Sequence, residues 1–160
     1  MRWYGNAMHA ALLHIFIGPG RRVPLVEASE IRAVPGRGLE GDRYFAGIGS
    51  FSRWPGSGRA VSLIEAEAID AVRAEHGIDL SAGHSRRNLV TRGVRLLDLD
   101  GRAFRIGTAA FRGVRPCAPC AYLERLVGPG TFDALKGRGG LRADVIEEGV
   151  IRAGDVLVLL

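Results

Sequence analysis

The sequence predicts a mainly β fold, a sandwich or barrel with a few short helices. Two observations carry this. Short apolar runs recur along the 160 residues, and the 23 glycines punctuate them at turns. Only one stretch holds a long helical period, too little helix for a doubly wound sheet. The length fits about one domain, taken as residues 1–160 with its core from about residue 12 onward. The 47% apolar content is enough for a core without disulfide staples.

Residues 1–10 are poorly patterned and read as a frayed end. Residues 12–17 read as a strand, stopped by Gly18-Pro19-Gly20. A second extended stretch spans 23–34. The segment GRGLEGDRYF (36–45) is a glycine-rich turn that lets backbone N–H groups approach a ligand. Residues 46–58 read as a mobile loop around Trp54-Pro55, of a length often used for binding.

Residues 59–63 read as a strand leading into an amphipathic helix that runs to His76, with Gly77 as its stop. Ser62 and Glu65 have the spacing of a capping box. Arg86, Arg87 and Asn88 lead into a strand at 89–91. Residues 95–99 read as another strand, with Asp100-Gly101 as a hairpin turn. Strands at 104–106 and 109–114 follow. A helical turn at 131–136 with Thr131 as cap, a strand at 141–146 and a closing hairpin over 150–160 complete the chain.

The formal charge is +5, and Lys136 is the only lysine. Arginine offers a rigid fork of donors that suits phosphate and carboxylate. Basic residues form no block of five and do not interleave with aromatics, which argues against nucleic acid. No apolar run approaches the roughly 20 residues needed to span a membrane. The apolar run 7–17 is short and lacks a convincing cleavage pattern. Two cysteines three residues apart fit a reducing compartment, so the expectation is a cytoplasmic protein.

Those cysteines, Cys117 and Cys120, lie in FRGVRPCAPCAYLERLVG (111–128). Pro119 suits the first turn of a helix, where a missing N–H costs nothing. Tyr122, Leu123, Leu126 and Val127 recur at helical spacing, and Gly128-Pro129 ends the run. Cys120 is thus expected in the first helical turn, with Arg112 and Arg115 close by. Both the helix dipole and the arginines favour the thiolate, the nucleophilic and metal-binding form.

Three polar clusters stand at loop–element junctions: Gly41-Asp42-Arg43, Arg86-Arg87-Asn88, and the cysteine pair. Arginine and asparagine beside glycine-rich backbone suit a phosphate, and a thiolate suits a soft metal. Other readings stay open. A structural zinc needs more ligands than two cysteines, and His9, His14, His76 and His84 are scattered. Cys-Ala-Pro-Cys has the form of a dithiol redox motif, but such motifs belong near a βαβ unit, which the pattern does not predict. The pair can also be two inert core thiols, and Asp42 and Arg43 can simply pair with each other. No G-x-S-x-G, H-E-x-x-H or Walker A pattern is present.

The ordered pieces GLEGDRYF, RAVSLIEAEAIDAV, SRRNLVTRGVRLLDLDG, FRGVRPCAPCAYLERL and GVIRAGDVL together resemble a stand-alone MOSC domain, over about residues 12–160. The resemblance implies a barrel related to the pyruvate kinase β-barrel. It implies binding of the molybdenum cofactor, a molybdopterin with one phosphate. In amidoxime-reducing relatives the second cysteine of a C-x-x-C ligates the metal, and it matches Cys120. Their R-x-N motif matches Arg86 and Asn88, and their G-D-R motif matches Gly41, Asp42 and Arg43. Arg115 is a further candidate for the anionic cofactor.

After the second cysteine, Ala121-Tyr122-Leu123-Glu124 replaces the Val-Asp-Pro run of those enzymes and places the chain with small bacterial members. The expected function is reduction of N-hydroxylated small molecules, with electrons from a separate donor protein. The alternative is a carrier that holds sulfur as a persulfide on Cys120, or delivers cofactor, and works with a sulfur donor or acceptor protein. Cys117 would resolve a persulfide or be structural.

Overall fold

A computed structural model describes residues 10–54 and 56–160. The expectation of a frayed start therefore lies, for residues 1–9, outside the described residues. The chain is mainly β. Its strands are β1 (Ala11–Ile17), β2 (Val26–Ala28), β3 (Glu30–Val34), β4 (Gly38–Leu39), β5 (Val61–Glu65), β6 (Leu89–Arg92), β7 (Ala103–Ile106), β8 (Ala109–Pro116), β9 (Leu141–Glu147), β10 (Gly149–Arg152) and β11 (Leu157–Leu159). Its helices are α1 (Ala66–His76), α2 (Ala121–Val127) and α3 (Thr131–Ala134), with two short 3₁₀ turns.

Eight strands form one sheet in the order β11-β7-β8-β9-β5-β6-β1-β2, and β10-β3-β4 form a second. The large sheet is buried on both faces around β5 and β6. Leu12, Ile15, Val61, Leu63 and Leu89 face one apolar cluster, closed on its far side by Ala33, Leu39 and Ile151 of the small sheet. Phe16, Ile64 and Val90 face a second cluster, covered by Ile69 and Val72 of α1, Leu123 of α2 and Leu135. This is why β5 and β6 read as continuous apolar runs rather than as strict alternation. Burying side chains such as Ile69 and Val72 contributes about 1.5–3 kcal/mol each.

Near the start of β11 the chain folds back on β1. Leu12 N–H donates to Asp155 O at 2.9 Å, Gly154 N–H to Leu12 O at 2.7 Å and Leu157 N–H to Ala10 O at 2.8 Å. An antiparallel bridge joins Ala11 to Val156.

Several expectations are corrected. Strands β5 and β6 pair in parallel with α1 between them, so a βαβ unit exists. Strand pairing over such a distance leaves no local signature. The capping box does not form: Glu65 is the N-cap with no side-chain cap bond, and Ser62 lies within β5. Ser62 is instead engaged by Asn88, a buried partner that outcompetes a cap. Gly77 does end the helix, in the left-handed conformation (φ 63°).

Residues 96–99 form a 3₁₀ turn rather than a strand, so Asp100-Gly101 joins no hairpin. The tight hairpin instead turns at Gly107-Thr108, between β7 and β8. The closing hairpin is also absent. β10 pairs with β3 and β11 with β7, so the two strands enter different sheets. Thr131 is the first helical residue of α3, after Gly130 as cap; its hydroxyl donates to Gly128 O at 2.7 Å.

Candidate functional site

Cys120 is the N-cap of α2, with extended backbone (φ −128°, ψ 162°), one position before the helical turn expected of it. Pro119 consequently precedes the cap instead of opening the helix. The Cys120 thiol is free and exposed, while Cys117 is free and buried. Cys117 N–H donates to Gly140 O at 2.8 Å, fastening the loop to the start of β9. Arg87 is the second fastening. Its guanidinium is buried and donates to Gly139 O at 2.9 Å, to Ala118 O at 3.3 Å and to Ser85 O at 3.3 Å. Three carbonyls thus spread the charge of a buried cation that has no carboxylate partner among the described residues. Sequence reasoning includes Arg87 in the Arg86-Arg87-Asn88 cluster without a role of its own, yet it fastens the cysteine loop at Ala118. Its place between Arg86 and Asn88 is the only signal for it.

Asn88 is buried and its hydrogen-bonding capacity is filled by protein. Its Oδ1 accepts from Ser62 N–H at 3.1 Å, and its Nδ2 donates to Phe16 O at 3.0 Å and to Asp42 Oδ1 at 3.4 Å. It therefore cross-links β5, β1 and the Gly41–Arg43 turn. Asp42 is 1% exposed and accepts from Gly18 N–H at 2.7 Å and from Tyr44 N–H at 3.2 Å. Gly41, at φ 89°, supplies the left-handed turn that sends Asp42 inward. Both acceptor oxygens of a buried carboxylate are thereby engaged, as such a group requires.

Asp42 in turn steadies Arg43, whose Nη1 stands 3.6 Å from Asp42 Oδ1. Part of the simple Asp42–Arg43 pairing is therefore real. The Arg43 guanidinium lies over Gly18, where any β-carbon would collide with it.

Arg43 also acts on Arg86. Burial, and then the neighbouring Arg43 charge, push the Arg86 pKa down, while Tyr122, Asp42 and Cys120 act in the opposite direction. Cys120 on one side and Asp42 and Arg43 on the other, all far from Arg86 along the chain, thus come within electrostatic reach of it. Arg86 donates to Val23 O and faces the ring of Tyr122 at 5.7 Å. Arg22 faces the same ring at 5.2 Å. Arg22 and Arg86 are the only non-glycine residues with positive φ among the described residues, at 55° and 62°. Such backbone is strained for any residue with a Cβ and needs support from its surroundings. A cavity of about 280 Å³ lies between them, lined also by His84, Tyr122 and Leu126. Neither arginine has a carboxylate within ion-pair distance among the described residues. Arg22 escapes sequence reasoning, because Arg21-Arg22 looks like an ordinary turn.

Arg115 is turned elsewhere: its guanidinium donates to Ser57 O at 2.9 Å and Gly58 O at 3.4 Å. A register shift between Gly113 and Arg115 adds one residue to β8. That extra residue resets the alternation of faces. Arg112 faces the Gly101 turn, with 3.5 Å from Nη1 to Gly101 O. Arg112 and Arg115, the two arginines that precede the cysteines in sequence, are thus both turned to backbone carbonyls, while Cys120 acts electrostatically on Arg86.

The site can hold an anion beside an exposed thiol. Among the described residues no group of three His, Cys, Asp or Glu converges.

A mainly β domain with one exposed thiol set among arginines is the class that fold and site define. The MOSC domain family model matches residues 50–158, and the chain belongs to that family. Three solved structures share the fold. YuaD from Bacillus subtilis superposes with a TM-score of 0.79 at 17% identity, covering 98% of this chain and 97% of that one. YiiM from Geobacillus stearothermophilus gives 0.72 at 20% identity, covering 94% and 75%. YiiM from Escherichia coli gives 0.73 at 22% identity, covering 96% and 70%. None of the curated proteins matches the sequence. Among the described residues no helix is long and apolar enough to cross a membrane.

Proposed function

We propose that this chain binds the molybdenum cofactor with Cys120 as the protein's ligand to the metal, and that it reduces N-hydroxylated small molecules. One observation carries the reading. The Cys120 thiol is exposed and acts electrostatically on Arg86, which shares the Tyr122 ring with Arg22 and feels the charge of Arg43, itself beside Asp42. The donor set fits the cofactor: the pterin carries its own sulfur ligands, so one thiolate from the protein is enough, and its phosphate meets arginine forks.

Arg86 and Arg43 would hold the anionic part, with Arg22 beside them. Gly41, Asp42 and Asn88 set the turn behind Arg43, and Arg115 holds the loop at Ser57-Gly58. When bound, the group supplies two-electron redox chemistry at a thiophilic metal, and the protein supplies orientation and charge. Electrons come from a separate donor protein. The eight-strand sheet that folds back at the Ala11–Val156 bridge is read as the family's barrel, and the two free thiols suit a cytoplasmic location.

A second reading rests on the exposure of Cys120 beside buried Cys117. An accessible thiol near arginines also suits a persulfide, and a carrier that passes sulfur or cofactor onward needs no donor of electrons.

Molybdenum analysis of protein from a host that makes the cofactor, beside Cys120→Ala, tests the first reading. Near-stoichiometric metal that the variant loses is expected. No metal in either protein, with sulfane sulfur on the wild type, would replace the first reading by the second.

A further inference from the structure

A larger cavity, of about 500 Å³, lies on the other side of the Asp42–Tyr44 turn, where none of the residues assigned to the thiol site lines it. Its walls are the turn at 36–38, the loop residues Gly47, Phe51, Ser52, Gly56 and Ser57, and Asp144 to Ile146 of β9. Two arginines, Arg37 and Arg59, face it together with Tyr44 and Phe51. A volume of this size suits a small organic molecule.

The polar groups of the cavity are unequal. Arg37 is already engaged: it stacks on the Phe45 ring at 3.9 Å and donates from Nη2 to Phe45 O at 3.2 Å. Asp144 is partly engaged, since its Oδ1 accepts from Gly58 N–H at 2.6 Å. Arg59 is different. Its guanidinium stands 5.5 Å from the Phe51 ring centroid, and its Nε is shielded from solvent with no hydrogen-bond partner among the described residues. No carboxylate lies within ion-pair distance of it among those residues. The shielded Nε is as closed to a ligand as to water, but the terminal nitrogens of the same guanidinium make no hydrogen bond among the described residues and are open to an anion.

We infer that this cavity is a second ligand site, for a small molecule with a flat apolar body and one carboxylate or phosphate. The acid group meets Arg59, with Arg37 adding charge. The body lies between Phe51, Tyr44 and the outer face of β9 at Ile146. Two cations against one carboxylate leave the cavity net positive, which selects an anion over a neutral analogue. The Tyr44 ring is laid flat on the backbone of Gly49, where a β-carbon would overlap it.

The test is titration of the full chain with benzoate, phenyl phosphate and neutral benzamide, followed by calorimetry and amide NMR. Saturable binding of at least one anion is expected, with benzamide weaker by about tenfold or more, the usual scale of a charge-assisted bond. The tighter anion tells carboxylate from phosphate. Arg59→Gln should weaken that binding by a similar factor, Cys120→Ser should leave it unchanged, and shifted amides should include Arg37, Tyr44, Phe51 and Arg59. Should Arg59→Gln fail to fold, the shift map decides.

Absence of binding by both anions overturns the inference, as does benzamide binding as tightly. Equal loss in Cys120→Ser, or shifts centred on Arg86 and Tyr122, would assign the anion to the thiol site instead and overturn it too.

Discussion

Arg22 and Arg86 stand 100 and 36 positions from Tyr122 in sequence, yet their guanidinium carbons face its one ring at 5.2 and 5.7 Å. Both carry left-handed backbone that side chains rarely adopt. The pairing of two left-handed arginines on one aromatic ring concentrates charge where, among the described residues, no carboxylate lies within ion-pair distance. Attraction to the ring offsets only part of the repulsion, and the remainder favours an anion.

Glycine at either position should therefore separate stability from binding. Arg86→Gly relieves left-handed backbone worth about 1 kcal/mol, so its thermal midpoint should match or exceed that of the wild type. Anion binding at the thiol site should nevertheless fall. Arg86→Ala retains the strain without the charge and should lose both. Thermal melts beside molybdenum content check this, and a large fall in the midpoint of Arg86→Gly would show that the arginine is chiefly structural.

The two cysteines should differ sharply in reactivity. A maleimide added to native protein should modify Cys120 quickly and Cys117 only on the timescale of opening, because Cys117 is 2% exposed. Cys117→Ala should destabilise by about 1 kcal/mol as a small cavity forms, and Cys120→Ala should leave the midpoint unchanged. Mass spectrometry of labelled peptides reads the first expectation and denaturant melts the second.

Asn88 should behave as a cross-link. Asn88→Ala leaves the Phe16 carbonyl, the Ser62 N–H and part of Asp42 unpaired in the interior, at a cost of about 2–3 kcal/mol. Asn88→Asp should cost more, since it sets a second carboxylate beside buried Asp42. Urea titration gives both values. Stability within about 0.5 kcal/mol of wild type, the scale of error in such extrapolations, would mean that water replaces the lost partners.

Glu75 reports on acid sensitivity at the α1 surface. The Arg138 guanidinium, bonded to its carboxylate at 2.9 Å, holds its pKa below the usual carboxylate value, with a smaller contribution from His76. A depressed folded-state pKa contributes stability above the unfolded pKa and loses it as pH falls through the folded one. The difference in melting temperature between wild type and Glu75→Gln should thus be largest near neutrality and vanish in acid below the carboxylate range. The pair is exposed, so about 0.5 M salt should shrink the difference as well. A difference that grows in acid would contradict the pairing.

Much of the scaffold is legible in the order of residues. Period-two apolar runs mark β1, β7, β8 and β9, and the three-to-four spacing from Ile64 marks α1, because burial on one face imposes a period on the chain itself. Glycine at 77 marks the end of that helix, since few other residues accept φ 63°. The capping box fails for a related reason. Ser62 has the right spacing, but a buried Asn88 offers its hydroxyl a better partner than the helix does.

Local patterns suffice for the mainly β character, for the order of most elements, and for a C-x-x-C whose second thiol opens a short helix. The ordered motifs suffice for membership in the MOSC family. Which strands meet is a matter of tertiary packing. β10 and β11, neighbours in sequence, part into different sheets, while β5 and β6 pair in parallel across α1. Packing also decides where each arginine is aimed. A one-residue shift in β8 turns Arg115 to the 57–58 backbone, and Arg22 arrives from a remote turn. The physical reason is common to both. Periodicity and capping are written between near neighbours, whereas strand partners and charge clusters depend on distant groups. Their competition for burial and hydrogen bonds is settled only when the chain closes on itself.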